Sequence, residues 1–534
     1  MDTHHYLHSR NGCIGTQTDT NPEDIDGIVA RLRSDPRGHL ILHFHGGLVD
    51  KQNGMKSSEE LLPTYSPSPA SGGYPLFFIW ESGPWETIRN NLTELADEPV
   101  FKQLLRKLVQ YSAEHLGVGL PFADGRGTGR RAVGSMQTEI SQAFEAFWSY
   151  PSMGTIPLHT VVMHPTDEAR SASLGVDEDE IQADIEQDPE VQAAISSLSR
   201  AATISRSGFA ADGPETPQSG FAALAAEVLL QAPDAWGPDA RGPDARGGIS
   251  MLAVAGLLGR MLRGVLARVQ SGRDHGLYAT CVEELVRAFK IAGSGAHEWA
   301  KALEWNRMKQ DTIDAFGPDP DKHVGTALLS RLKGAIDNGY DLRRVTLIGH
   351  STGAIYVANW LEHSANYLPA DLKQDVVLLA PAITYERLAQ TLDRCSQRIG
   401  TFRMFSMHDQ YERDDQVLGD DNQVDRNWRR YLYPSSLLYL VSGILESRIV
   451  NGTLRDEPDM PLVGMERFYS DVATYDDVSF PAIARVRSWF AAQRDPLVWS
   501  VSSNAAPGFT CACKDHGGFT NEPQTVASLR HIVS

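Results

Sequence analysis

Ser351 stands at the apex of Gly349-His350-Ser351-Thr352-Gly353, after the apolar run 345–348 and before 354–361. The run before it reads as a buried strand and the residues after it as a helix, which puts the serine in a tight strand-to-helix turn. The two glycines allow a sharp turn and close helix–strand packing, and such a turn pushes the Ser351 hydroxyl into a cleft. A serine hydroxyl is a poor nucleophile at neutral pH. It needs a base within hydrogen-bond reach, and that base needs an orienting acid. Two candidates follow in the chain. Asp409 comes just after the strand pattern at 401–407, and His516 lies in Asp515-His516-Gly517-Gly518-Phe519, after the last strand pattern at 497–501. All three residues sit at strand ends, where folds with parallel sheets place their sites.

A second stretch adds to the first. The run beginning at His39 is rich in β-formers and ends at His45-Gly46-Gly47-Leu48. A strand followed by His-Gly-Gly resembles the oxyanion loop of α/β-hydrolases, where glycines let the backbone approach a substrate oxygen and offer its N–H groups. On these three motifs the chain resembles the α/β-hydrolase superfamily over roughly 35–100 and 325–534. The resemblance implies Ser351 as nucleophile and His516 as general base, then general acid. It implies an oxyanion hole from the N–H of Thr352 and one from Gly46, Gly47 or Leu48; such a donor is typically worth about 3 kcal/mol in the transition state. Asp409 is the chosen acid, with Asp414, Asp415 and Glu386 as alternatives. His45, His350 and His408 flank the proposed machinery and are read as pocket walls. His43 and His45 share a strand face and could form half a metal site. No acid follows at ligand spacing, so no metal and no cofactor is expected.

The elements that must hold these residues follow an α/β rhythm at both ends of the chain. Strand patterns at 39–44 and 74–82, with a helical segment at 56–62 between them, suggest a parallel pair joined by a right-handed crossover. From 341 strands and helices alternate, which implies a mostly parallel sheet covered by helices on both faces. The expected organisation is a first part of the hydrolase core over 1–82, a mainly helical insertion or cap over 83–340, and a second part of the core over 341–534 with a smaller insertion near 410–475. Residues 410–432 read as irregular, 435–448 as an apolar helix and 511–513 as strand. Residues 205–248, rich in Gly and Pro with a repeated Gly-Pro-Asp-Ala-Arg, read as a flexible loop. The acidic run 167–190 reads as a solvated helix face. The apolar helix pattern at 249–269 carries Arg260, Arg263 and Arg268 near one face. A buried helix is the plainer reading, and a lid or a contact with a membrane surface the sharper one.

The 534 residues exceed one ordinary domain, and 49 Lys+Arg against 68 Asp+Glu give a formal charge of −19. That balance argues against broad nucleic-acid binding, which needs basic surface. Five scattered cysteines and an N-terminus without a charged-then-apolar pattern suit a reduced, cytoplasmic setting. The function expected from the residues and the resemblance together is cleavage of a carboxylic ester, lipid-like esters included, through an acyl-enzyme. Amide, peptide or thioester cleavage on the same triad is the alternative within enzymes. The competing class is a non-catalytic interaction protein on a hydrolase fold, with the insertion as its binding surface for an unknown partner.

Overall fold

The computed structural model describes residues 1–47, 49–68, 71–81, 99–116, 175–197, 251–292, 305–415, 433, 435–446, 448–450, 453–455 and 458–534. The expected loop at 205–248, Leu48 and all of 117–174 lie outside them. The strands are β1 (Tyr6–Ser9), β2 (His39–Phe44), β3 (Tyr74–Trp80), β4 (Arg344–His350), β5 (Gln374–Leu379), β6 (Ile399–Met407), the small antiparallel hairpin β7 (Arg448–Val450) with β8 (Thr453–Arg455), and β9 (Leu497–Ser500). Seven of them form one sheet in the order β1-β3-β2-β4-β5-β6-β9, and every neighbouring pair runs parallel.

The sequence explains why these strands are central. Every residue of β2 and β3 is buried, and both are near-continuous apolar runs. A strand covered on both faces has no solvent side for alternating polar residues. The order also fixes where the chain changes direction. From β2 it moves through helix Lys51–Tyr65 to β3 on one side; later it re-enters as β4 on the other side of β2 and steps outward through β5, β6 and β9. Right-handed crossovers then place Lys51–Tyr65 and Gly353–Ser364 on opposite faces. Consistently, Lys51–Tyr65 packs with the terminal helix Pro523–Val533, while Gly353–Ser364 packs with Val324–Asp337 and Tyr385–Cys395. The switch lies between β2 and β4, and their register pairs Phe44 with Gly349. The carboxyl ends of these two strands open the crevice where such sheets bind ligands.

Between β3 and β4 the described helices pack on one another. Met251–Gln270 touches Pro99–Leu116, Glu178–Gln187 and Leu277–Ala292. Twelve apolar or paired residues of Met251–Gln270 are buried, Arg268 among them. Its apolar face is therefore covered by neighbouring helices. The acidic stretch is not simply a solvated face either. Asp188 and Glu190 hold Arg106, each at 2.7 Å, and Asp184 holds Lys107 at 2.6 Å.

Other expectations shift locally. β1 takes an edge of the sheet, a strand for which the sequence offers no pattern. Helix Lys51–Tyr65 runs on through Pro63. Residues 409–414 are helical, and the apolar stretch after Ser436 is one α-turn, Leu437–Leu440, followed by a π-turn, Val441–Leu445. The 511–513 segment is irregular; Thr525 Oγ1 donates to Cys511 Sγ at 3.1 Å, and all five cysteines are free thiols. Among the described residues, no helix is long and apolar enough to cross a membrane.

Candidate active site

The turn after β4 is strained where the sequence places its serine. Ser351 has φ +52, a left-handed conformation that a residue with a Cβ adopts at a cost of about 1–3 kcal/mol. Neighbouring backbone holds it there. The Ser351 N–H donates to the Leu379 carbonyl at 2.8 Å, and its carbonyl accepts from Ala382 at 3.0 Å. Two glycines are required by contact rather than by φ. A Cβ on Gly349 would lie 2.7 Å from the Gly353 carbonyl oxygen, and one on Gly353 would lie 2.2 Å from the Phe44 carbonyl oxygen. Helix Gly353–Ser364 thus seats directly on the end of β2.

That seating brings the loop after β2 to the serine. A Cβ on Gly46 would meet Ser351 Cβ at 3.2 Å and His350 Nδ1 at 3.4 Å; one on Gly47 would meet Thr352 Oγ1 at 2.5 Å. His45 shapes this loop from within. Its Nδ1–H donates to the Gly46 carbonyl at 2.6 Å, and its Nε2 accepts the Trp80 amide at 3.1 Å. Burial pushes the His45 pKa down to about 4, which keeps both bonds in place at neutral pH. His43 points elsewhere: its Nδ1 pairs with the Tyr65 hydroxyl at 2.8 Å. Among the described residues, no group of three metal-ligating side chains comes together.

His516 reaches the same corner from the loop before helix Pro523–Val533. His350 Nε2–H donates to its carbonyl at 3.0 Å, and the two imidazoles lie face to face with centroids 5.4 Å apart. Burial, and secondarily His350, depresses the His516 pKa to about 3. The Ser351 hydroxyl and both ring nitrogens of His516 are buried and make no hydrogen bond. The nucleophile–base bond is not formed in this structure, and such bonds commonly tighten only with substrate bound. Charge developing on a substrate oxygen beside the imidazole would raise its basicity again.

The structure does not bring Asp409 to the His516 ring. Its carboxylate accepts from Tyr439 Oη at 2.6 Å and pairs with Arg413 at 3.2 Å, and its amide donates to Glu466 at 2.8 Å. The acid that does touch His516 is Asp415, whose Oδ2 accepts the His516 amide at 2.9 Å. Asp414 and Glu386 are exposed. His408 pairs with Glu466 at 2.8 Å. It lines a cavity of about 570 Å³ beside β9, with Tyr469, Arg487, Phe490 and Trp499, whose wall includes neither Ser351 nor His516. Ser351, Thr352, Gly46, Gly47, His45, His350 and His516 therefore share one corner, while Asp409 and His408 belong to the neighbouring one around Glu466. Glu466 and Tyr439 carry no sequence motif; only the fold brings them to Asp409. No family model, curated protein or solved structure matches the chain.

Proposed function

We propose that this chain is an α/β-hydrolase that cleaves a carboxylic ester by acyl transfer. The observation that carries the reading is Ser351 at φ +52 on the turn after β4, at the switch point of the sheet and facing the Gly46-Gly47 loop. The sheet order supports it as well. The glycine loop, the serine turn and the histidine loop follow β2, β4 and β9, the sequence expected of that superfamily.

In the proposed reaction Ser351 Oγ attacks the acyl carbon and its proton passes to His516. The N–H groups of Thr352 and Gly46 or Gly47 hold the oxyanion. The tetrahedral species collapses with cleavage of the ester C–O bond, and His516 gives its proton to the departing alkoxide. Water then attacks the acyl-enzyme, gives a proton to His516, and releases the acid as Ser351 regains that proton. A carboxylate on the His516 ring is not part of this scheme. Ser351 is buried, so substrate must also displace what covers it; Met308 of helix Trp305–Asp314 lies against Gly47 of the facing loop.

A non-catalytic reading draws on one observation, the absence of a Ser351–His516 bond. Labelling with a fluorophosphonate decides between them. Folded wild-type protein is expected to be labelled at Ser351, and Ser351→Ala and His516→Ala are expected to lose the label. A folded wild-type protein that takes no label, and hydrolyses no p-nitrophenyl ester, sinks the enzyme reading.

A further inference from the structure

We infer that His350 and Asp415 position His516, gripping its main chain on both sides of its Cα so that the ring is aimed without a partner on the ring itself. The inference rests on the proposed function.

The two bonds flank a single residue. Asp415 Oδ2 accepts the His516 N–H at 2.9 Å, and His350 Nε2–H donates to the His516 carbonyl at 3.0 Å. Holding both ends of one residue restricts its φ and ψ and therefore the direction of its Cα–Cβ bond. The His350 ring lies against the His516 ring at a 29° interplanar angle, which limits the side-chain torsions as well. In a familiar triad the orienting acid bonds the imidazole directly. Here both His516 ring nitrogens are left for substrate and serine.

Each gripping residue is itself fixed. His350 is the last residue of β4, one position before Ser351, so one strand end carries both the nucleophile and the donor that holds the base. Nucleophile and base then keep a common frame, which is what a precise site needs. Asp415 follows helix Asp409–Asp414, and its amide donates to the Tyr411 carbonyl at 2.9 Å. The His350 tautomer follows from its partner. A carbonyl accepts only, so Nε2 carries the hydrogen, and the Nδ1 lone pair faces Gly46. His350 is buried and stays neutral, its pKa held down to about 4, so it adds no positive charge beside an imidazolium at His516.

Four variants test this on a p-nitrophenyl butyrate assay. His350→Phe keeps a ring for stacking and removes the donor, and Asp415→Ala removes the acceptor. Both are expected to lower kcat by about ten- to a hundredfold with KM changed by no more than about threefold. His350→Gln restores an N–H near Nε2 and Asp415→Asn keeps an acceptor oxygen, and both are expected to recover most of kcat. Urea midpoints separate lost positioning from lost folding, and if one end of the grip fails to fold when cut, the variant at the other end decides. Wild-type kcat in His350→Phe and Asp415→Ala overturns the inference. So does a loss confined to KM, or a failure of the conservative pair to outperform the truncating pair. A folded wild-type protein inert to fluorophosphonate and ester removes the proposed function and this inference together; a reactive wild type with indifferent variants removes only the inference.

Discussion

Gly353 has no room for a side chain. Its missing Cβ would sit 2.2 Å from the Phe44 carbonyl oxygen and 3.0 Å from that of His45, both backbone atoms of the strand end that leads into the glycine loop. A backbone cannot swing aside as a side-chain tip can. Gly353→Ala is therefore expected to push helix Gly353–Ser364 off β2, lowering unfolding stability by about 1–3 kcal/mol. The same shift widens the gap between Ser351 and Gly46, so ester turnover should fall with it. Urea midpoint and turnover are measured together, and a variant neutral in both would show that the seating is looser than these distances imply.

At the scale of elements, a buried ion pair of the helices before β4 lies against the segment after β6, amid that segment's buried apolar side chains. Arg268 of Met251–Gln270 pairs with Glu283 of Leu277–Ala292 at 2.6 Å, and both side chains are almost wholly buried. Glu283 also accepts from Tyr433 and lies 3.3 Å from His275 Nε2. Gly443 of the π-turn leaves space for that carboxylate, since a Cβ there would lie 2.1 Å from it. Nearby, Arg467 is buried under Tyr439 and Tyr475, and Tyr439 is the residue that bonds Asp409. A buried ion pair adds little over a well-packed apolar pair, but breaking one side leaves an uncompensated charge. Arg268→Met is expected to lower stability by about 3–5 kcal/mol, and Arg268→Met with Glu283→Leu to recover a large part of it. Equal stability of the single and double variants, read by denaturant titration, would contradict this. Arg268 thus serves the interior; an arginine stripe on an apolar helix does not by itself say which way it faces.

For the molecule as a whole, buried histidines make the fold sensitive to acid. Burial holds His39, His45 and His350 at about 4 and His43 and His516 at about 3, against an ordinary 6.5. The folded pKa values are depressed, so the unfolded chain binds more protons between those values and 6.5. Their contribution to stability is complete above 6.5 and is lost as pH falls towards the folded values, by about 1.4 kcal/mol per pH unit for each group. Asp311, raised by burial to about 6, works in the opposite direction, as do the raised carboxyls of Glu283 and Glu412. The histidines outnumber these, and the urea midpoint is expected to drop markedly between about pH 7.5 and about pH 5. His43→Gln should make that drop shallower; an unchanged midpoint in the wild type would mean that these rings gain water in the folded protein.

Much of this architecture is written in short contiguous runs. The buried strand before Ser351, its turn and its helix occupy consecutive residues, and so do β2 with Gly46-Gly47 and the glycine-flanked loop of His516. Alternation of such runs was enough to give a parallel sheet covered by helices, because each crossover is a local unit with one preferred hand. The edge strand β1 was not legible, since its four residues, Tyr6–Ser9, are too few and too polar to show a period. The partners of the chemical groups were not legible either. His516 meets His350 and Asp415 across 166 and 101 positions of chain, and Asp409 meets Tyr439 across 30. Nothing local distinguishes Asp409 from Asp415, two acids on one turn of chain after β6. The choice depends on where that turn, the π-turn segment and the His516 loop settle against one another, and that is set by packing over the whole molecule. A serine, a glycine loop and a histidine at strand ends of an α/β sheet can all be read from contiguous residues. That the histidine is held by its main chain while Asp409 is bound elsewhere follows from contacts between distant segments, which no local run encodes.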